Sequence, residues 1–291
     1  MNLEGTFVAL VTPFKNGKIN EEKIRELVRL QIENGTDGIV PCGTTGESPA
    51  LSEEEKNRVI EIVIEEAKGK ALVIAGTGTN NTEKSVKATA QAKEMGADAA
   101  LVITPYYNKP TQAGLIRHFE AVAEVNLPIM IYNVPGRTSV NILPSTIEKL
   151  SKLDQIVAIK EASGDLNQVS EILTTCKDNI KVFSGDDSLF APILAIGGVG
   201  VVSVVANLVP QYLKSLYEAF KSNEIVRMQQ LHHQLFELCQ AMFYETNPAP
   251  VKTAMNLMGM DVGELRPPLA PMAETNKEKL IESLKVYGLL K

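Results

Sequence analysis

The sequence contains one lysine whose neighbours favour a role in covalent chemistry. Lys160 ends the apolar run that begins at Ile156, and Glu161 follows it directly. An amine at the end of an apolar strand is poorly solvated, which disfavours its charged form and makes it a better nucleophile. Such an amine typically forms a Schiff base with a carbonyl substrate. The simpler interpretation is a lysine that keeps its stem on apolar surface and its head in water.

Polar residues also follow the other apolar runs of the chain. If these runs are parallel strands of one barrel, the residues just after them meet at a single mouth. The segments that would meet there are Thr12-Pro13, Gly43-Thr44-Thr45-Gly46-Glu47, Gly76-Thr77-Gly78, Thr104-Pro105-Tyr106-Tyr107, Tyr132-Asn133-Val134-Pro135-Gly136-Arg137 and Ser184-Gly185-Asp186-Asp187. Each alone has a structural interpretation, such as a turn, a core tyrosine or a helix N-cap. Together they suit catalysis, because Tyr132 is a possible proton shuttle for Lys160. The hydroxyls and backbone N–H groups of Thr44 and Thr45 suit a substrate carboxylate.

Eight short apolar runs form the repeating framework of the sequence. They are residues 7–11, 38–40, 72–75, 100–103, 129–132, 156–160, 182–184 and 199–205. The runs are continuous rather than alternating, as expected for strands buried on both faces. Helix-length stretches with charged faces separate them, and one begins after the capping hydroxyl of Ser52. This alternation predicts a (β/α)8 TIM barrel rather than a doubly wound sheet.

The pattern becomes purely helical towards the end of the chain. Helical stretches are predicted at residues 225–243, 251–258 and 276–290. The segment Asn247-Pro248-Ala249-Pro250 separates the first two, since proline interrupts a helix. The sequence therefore predicts a barrel with the catalytic site over residues 1–222 and a small C-terminal helical domain over residues 223–291.

Composition narrows the range of functions. The 29 basic and 35 acidic residues give a formal net charge of −6. With no basic run, the chain gives no support for binding nucleic acid or an anionic membrane. The cysteines and histidines lack metal-ligand spacing. Residues 191–210 are long and apolar, but Gly197-Gly198 and Asn207 interrupt them, so a helix, a turn and a buried strand are expected rather than a membrane span. The segment after Met1 shows no signal-peptide pattern. We expect a cytoplasmic protein with no metal and no cofactor.

Six segments in a fixed order carry a resemblance to a known family. They are Gly43-Thr44-Thr45-Gly46-Glu47, Thr104-Pro105-Tyr106-Tyr107-Asn108, Tyr132-Asn133-Val134-Pro135-Gly136-Arg137-Thr138, Val157-Ala158-Ile159-Lys160-Glu161-Ala162, Ser184-Gly185-Asp186-Asp187 and Asn247-Pro248-x-Pro250-Val251-Lys252. From Gly5 nearly to the C-terminus, the chain resembles the dihydrodipicolinate synthase family of pyruvate-dependent class I aldolases. Two features favour the synthases over related lyases. One is the Gly-Thr-Thr-Gly-Glu pattern, where sialic-acid lyases carry Gly-Ser-Thr-Gly-Glu. The other is Arg137, which matches the arginine that holds the carboxylate of aspartate semialdehyde.

The resemblance implies a covalent mechanism centred on Lys160. This residue would form a Schiff base with pyruvate, and the derived enamine would attack L-aspartate-4-semialdehyde. Tyr132, Thr44 and Tyr107 would form a proton relay, with Tyr107 reaching in from a neighbouring subunit.

The resemblance also implies the residues that bind the two substrates. Thr45 would hold the carboxylate of pyruvate, and Arg137 that of the semialdehyde. Gly185 and Val202 match positions that line the pocket. The common assembly of the family implies a homotetramer, a dimer of dimers, and its chemistry requires no cofactor or metal.

Two other functions share parts of this pattern. A lyase or aldolase acting on 2-keto-3-deoxy sugar acids would keep Lys160 and Tyr132 but would have little use for Arg137. A catalytically silent barrel that binds pyruvate as a sensor would need no proton relay.

The resemblance raises the question of feedback inhibition by lysine. Family members bind lysine near positions that correspond here to Ser48, Asn80 and Tyr106, all of which are present. The feedback-sensitive pattern has histidines where this chain has Glu53 and Lys56, and a glutamate where it has Lys84. Positive charge then faces the ammonium group of the ligand, so we expect weak or absent inhibition by lysine.

Overall fold

The computed structural model describes residues 2–291, and its centre is a closed barrel of parallel strands. The eight barrel strands are β1 (Gly5–Ala9), β2 (Gly38–Val40), β3 (Leu72–Gly76), β4 (Ala99–Ile103), β5 (Ile129–Asn133), β6 (Ile156–Glu161), β7 (Lys181–Ser184) and β8 (Gly200–Ser203). Each strand pairs in parallel with the strands before and after it, and β1 closes the barrel by pairing with β8. The predicted TIM barrel is confirmed.

Helices surround the barrel and follow the strands in the order expected from the sequence. They are α1 (Glu21–Glu33), α2 (Glu53–Ala67), α3 (Thr82–Met95), α4 (Gln112–Ala123), α5 (Pro135–Thr138), α6 (Pro144–Leu150), α7 (Leu166–Cys176), α8 (Phe190–Ala195), α9 (Pro210–Lys221), α10 (Ile225–Ala241), α11 (Ala249–Leu257) and α12 (Glu274–Val286). The capping hydroxyl of Ser52 accepts from the backbone N–H of Glu55. The side-chain Oε2 of Glu55 in turn accepts from the backbone N–H of Ser52. This reciprocal pair satisfies two N–H groups at the start of α2 and confirms the predicted helix start.

The strand side chains alternate between two apolar cores. One face of each strand packs against the helices, and the other fills the inside of the barrel. The interior cluster consists of Leu3, Phe7, Ala9, Val40, Ile74, Ala99, Leu101, Met130, Tyr132, Val134, Ala158, Phe183 and Val202. Lys160 follows Ala158 by two residues on β6, so the same alternation turns its side chain inward at the carboxyl end of the strand.

The apolar segment 191–210 folds as its interrupting residues predict. It contains the end of α8, a turn at Gly197-Gly198, strand β8 and the start of α9. Within residues 2–291, none of the helices combines the length and the apolar character that crossing a bilayer requires.

The C-terminal part of the chain is helical, with boundaries close to those expected. Helix α10 packs against α9 and α12, and α11 packs against α12. The peptide bond between Asn247 and Pro248, just before α11, is cis. The division into residues 1–222 and 223–291 stays a prediction, because helix α10 also contacts the short turn Asp187–Leu189 at the barrel mouth.

Candidate active site

Lys160 is a buried residue at the mouth of the barrel. It lies on β6, where its backbone pairs with Tyr132 of β5 and Phe183 of β7. Only 6% of its surface is exposed, and its Nζ lies 4.2 Å from the centre of the Tyr132 ring. None of the ion pairs found within residues 2–291 includes this amine. The side chain is therefore a desolvated amine held against an aromatic ring, and not a lysine with its head in water.

Gly185 leaves the space that the Lys160 side chain occupies. A Cβ atom at Gly185 would lie 3.1 Å from Lys160 Cε and Cγ and 2.7 Å from Ala162 Cβ. A side chain there would clash with Ala162 and crowd the stem of the lysine, which is the physical reason for glycine. Val202 is fully buried and belongs to the interior cluster that also contains Tyr132.

The carboxylate next to Lys160 points away from it and is held by neutral donors. Glu161 accepts from Asn133 Nδ2 at 3.0 and 3.1 Å, from Gln168 Nε2 at 3.1 Å and from the N–H of Ser163 at 2.7 Å. Neighbouring strand residues face opposite sides of the sheet, so this carboxylate lies in the layer between barrel and helices. The roles of Asn133 and Gln168 in binding this carboxylate were not predicted from the sequence.

The loop after β2 presents two threonines. Thr44 is half-buried and Thr45 is buried, and the Glu47 N–H closes the turn on the Thr44 carbonyl at 3.1 Å. Asn247 Nδ2 donates to Thr45 Oγ1 at 2.9 Å. Because the threonine oxygen accepts this bond, its own hydroxyl hydrogen remains available to a ligand.

Arg137 stands on α5, the short helix directly after β5. Its guanidinium donates from Nη2 to the backbone carbonyl of Asn247 at 3.1 Å and is otherwise largely exposed. Asn247 therefore touches two of the predicted binding residues, Arg137 and Thr45. Asn247 belongs to one of the motifs found in the sequence. Its contact with Thr45 could not be predicted, because 202 residues separate the two in the chain.

A cavity of about 240 Å³ opens beside these residues. Among the predicted site residues, Thr44, Tyr132 and Arg137 line it. Lys160, Thr45, Gly185 and Val202 lie outside its wall, although Tyr132 joins Lys160 to it by contacting both. Tyr107 is separate from this group: its side chain is 90% exposed, on a residue with a backbone φ of 73°.

The Cys42 thiol near this cavity is poorly suited to chemistry. Burial raises the pKa of Cys42 to about 12, so the reactive thiolate is scarce at neutral pH.

A buried lysine and tyrosine at the carboxyl-end mouth of a (β/α)8 barrel define an enzyme of the class I aldolase type. The chain belongs to the dihydrodipicolinate synthetase family, whose model matches residues 2–287. The resemblance noticed in the sequence is thereby confirmed.

Individual members of the family are similar over almost their whole length. The 4-hydroxy-tetrahydrodipicolinate synthase of Geotalea uraniireducens (strain Rf4) is 56% identical over 288 residues, which are 99% of each chain. The enzyme of the same name from Geobacter sp. (strain M21) is 54% identical over the same share. The crystal structure of dihydrodipicolinate synthase from Aquifex aeolicus matches with a TM-score of 0.96 at 47% identity and covers 99% of both chains.

Proposed function

We propose that this protein is a 4-hydroxy-tetrahydrodipicolinate synthase, which condenses pyruvate with L-aspartate-4-semialdehyde in the diaminopimelate route to lysine. The observation that carries the proposal is the buried amine of Lys160 against Tyr132, at the barrel mouth of a chain this similar to enzymes of that name. A desolvated amine without a carboxylate partner is the group that Schiff-base chemistry requires.

In the first half-reaction, the Lys160 amine attacks the keto carbon of pyruvate. A carbinolamine forms and loses water to give the Schiff base, which then loses a methyl proton to become an enamine. In the second half-reaction, the enamine carbon attacks the aldehyde carbon of the semialdehyde. The amino group of that substrate then attacks the imine carbon, closes the ring and releases Lys160.

Three hydroxyl groups move the protons in this scheme. The contact of the Tyr132 ring with Lys160 and its position in the cavity wall support this role for Tyr132. Thr44 lines the same cavity. Tyr107 completes the relay from a neighbouring subunit, and its nearly full exposure in the single chain fits a side chain that serves another copy.

The two substrate carboxylates bind to different groups. Thr45 holds the carboxylate of pyruvate, since its hydroxyl hydrogen is left available by the bond from Asn247. Arg137 holds the carboxylate of the semialdehyde, because a guanidinium at the cavity wall offers paired donors to an anion. Gly185 leaves room for the Lys160 side chain, and Val202 belongs to the buried cluster that contains Tyr132.

The active assembly is a homotetramer, a dimer of dimers. Within each dimer, each chain supplies its Tyr107 to the active site of the other chain. A cytoplasmic location belongs to the same proposal, because the buried free thiols of Cys42, Cys176 and Cys239 suit a reducing compartment.

Borohydride trapping tests the proposal directly. The protein is incubated with pyruvate, reduced with borohydride, digested and examined by mass spectrometry. We expect a reduced pyruvate adduct on the peptide that contains Lys160. If no adduct forms on Lys160, the covalent mechanism is wrong.

Steady-state assays then separate the possible enzymes. We expect turnover with L-aspartate-4-semialdehyde and none with 2-keto-3-deoxy sugar acids. Preferred cleavage of a sugar acid would identify a lyase instead, and an adduct without turnover of either class would identify a pyruvate sensor.

A further inference from the structure

A buried ion pair joins the C-terminal helices to the loop that carries Thr44 and Thr45. Lys252 Nζ on α11 lies 2.8 Å from Glu47 Oε1, at the end of that loop. The side chains are 1% and 0% exposed, and 205 residues separate them in the sequence. No step of the proposed mechanism uses either residue.

The lysine amine is fully hydrogen-bonded in this position. It donates to Glu47 Oε1, to the carbonyl of Thr12 at 3.1 Å and to the carbonyl of Glu264 at 2.6 Å. Its three hydrogens thus have three acceptors. The Phe14 ring covers the amine, with its centre 4.4 Å from Nζ. Such a group tolerates little displacement, because every bond is directional and the space around it is closed.

The Glu47 carboxylate is held from both sides. Its second oxygen, Oε2, accepts from the backbone N–H of Arg266 at 2.9 Å. The Arg266 guanidinium in turn binds Glu55 of α2 and the carbonyl of Ala50. The carboxylate is therefore clamped between Lys252 and the chain around Arg266.

Glu47 also closes the turn that presents the two threonines. Glu47 has a backbone φ of 53°, the left-handed conformation that residues with a side chain rarely adopt. Its N–H bonds the Thr44 carbonyl, while Thr12 Oγ1 donates to the Gly46 carbonyl at 2.7 Å. A left-handed residue persists only where its surroundings impose it, and here the clamped carboxylate does so.

We propose that Lys252 is a positioning residue of the active site, which acts by holding Glu47 so that the turn presents Thr45 to the carboxylate of pyruvate and Thr44 to the cavity. The inference rests on the proposed function, which assigns that carboxylate to Thr45. The segment that begins at Asn247 supplies a second contact to the same turn, through the bond from Asn247 Nδ2 to Thr45 Oγ1. The C-terminal helices are thereby part of the pyruvate site.

Lys252→Met tests the proposal by removing the amine while keeping an unbranched stem. We expect the KM for pyruvate to rise by about tenfold or more, because the released carboxylate no longer fixes the turn. The KM for aspartate semialdehyde should change by less than about threefold, since Arg137 bonds the backbone of Asn247 and not Lys252.

A matched control is available at the opposite end of the barrel. Lys214 Nζ forms an ion pair of 2.7 Å with Asp37 Oδ1, beside the amino end of β2. Lys214→Met also removes one lysine of an ion pair, so its melting temperature should fall while the KM for pyruvate stays as in the wild type. A purely structural role for Lys252 would give the same result as this control.

A second variant covers the possibility that Lys252→Met does not fold. Glu47→Gln combined with Lys252→Met removes both charges, so that neither is left alone in the interior. We expect the double variant to fold and to keep the raised KM for pyruvate, because the link between α11 and the turn is still missing.

The outcomes separate this inference from the proposed function. If the wild type forms no borohydride-trapped adduct at Lys160, the proposed function is overturned. If the wild type forms the adduct and the folded Lys252 variant, single or double, has a KM for pyruvate within about threefold of the wild type, the positioning role is overturned.

Discussion

Lys160 and Tyr132 meet across neighbouring strands, and this contact explains how an amine is kept at the barrel mouth without a carboxylate. The amine lies over the face of the tyrosine ring, 4.2 Å from its centre. The neighbouring carboxylate of Glu161 is turned to the other side of the sheet, where Asn133 and Gln168 bind it.

Lys160→Ala should abolish nearly all activity while leaving the barrel folded, because no other group can form the covalent intermediate. Activity, pyruvate adduct formation and circular dichroism measure this. Lys181→Ala is the matched control, since that lysine begins strand β7 at the other end of the barrel. Near-normal turnover in the Lys160 variant would contradict the covalent role.

Arg137→Ala should damage the second substrate far more than the first. The guanidinium is largely exposed, so we expect a loss of about 2 kcal/mol, or a rise of about thirtyfold in the KM for aspartate semialdehyde. Pyruvate adduct formation should stay nearly intact. Steady-state kinetics with each substrate varied in turn measures both quantities, and equal damage to both would indicate a structural arginine.

We expect L-lysine to inhibit this protein weakly or not at all. A cleft of about 250 Å³ adjoins the active-site cavity and shares Ser48 and Tyr106 with it. Its walls carry Lys56, Lys84 and Lys87, while its acid, Glu53, lies 3.5 Å from Lys87. An ammonium ligand meets mainly like charge there. An initial-rate titration with L-lysine measures the effect, and half-inhibition below millimolar concentration would contradict it.

A buried histidine of α4 contacts α3 and should make the packing of these two helices sensitive to pH. His118 of α4 places Nδ1 at 3.0 Å from the hydroxyl of Thr82, the first residue of α3. Its Nε2 is buried without a partner among the described residues. Burial lowers the pKa of His118 from 6.5 to about 4, because a protonated ring is poorly solvated there.

This histidine should make the protein lose stability as the pH falls from about 6.5 to about 4. In that window the unfolded chain binds a proton that the folded state does not bind, at a cost of up to about 3 kcal/mol. Asp187 acts in the opposite direction, since burial raises its pKa from 3.8 to about 6 and protonation then favours the folded state. The contribution of His118 is therefore visible only by comparison with a variant.

Denaturant unfolding of the wild type and of His118→Gln across this pH range makes the comparison. The free energy of unfolding of the wild type should fall relative to that of the variant as the pH decreases. Parallel curves for the two proteins would show that His118 is not buried in its neutral form.

The exposed Tyr107 allows a direct test of the proposal that two chains contribute to each active site. A tyrosine side chain that is 90% exposed contributes little to its own fold, and it is absent from the wall of its own cavity. If it serves a neighbouring chain, two different defects placed on two different chains should compensate each other.

Mixed assemblies of Lys160→Ala and Tyr107→Phe chains test this exchange. Each parent assembly should be nearly inactive or strongly impaired. In a mixed dimer, one site combines an intact Lys160 with an intact Tyr107 from the partner chain, so activity should reappear. Co-expression with two affinity tags isolates the mixed species. Activity no higher than the mean of the parents would show that Tyr107 does not cross between chains.

Much of the candidate site was predictable from the sequence, because its members lie at or just after the ends of apolar runs. The barrel was predictable from eight continuous apolar runs, since a strand buried on both faces carries a signal that needs no neighbour. The placement of Lys160, Tyr132 and Thr44 at one mouth followed from the same reasoning, because parallel strands bring their carboxyl ends together.

Contacts between distant parts of the chain were decided only by the tertiary structure. The strand pattern indicated that Lys160 faces a mouth, but the 4.2 Å approach to Tyr132 and the space left by Gly185 depend on the barrel register. Glu47 and Lys252 are ordinary charged residues in the sequence, since ion pairing across 205 residues has no local periodicity. Local propensity determines where strands and helices form. The burial of Lys160 and the pairing of Lys252 with Glu47 depend on contacts between distant segments, which only the packing of the strands and of the C-terminal helices provides.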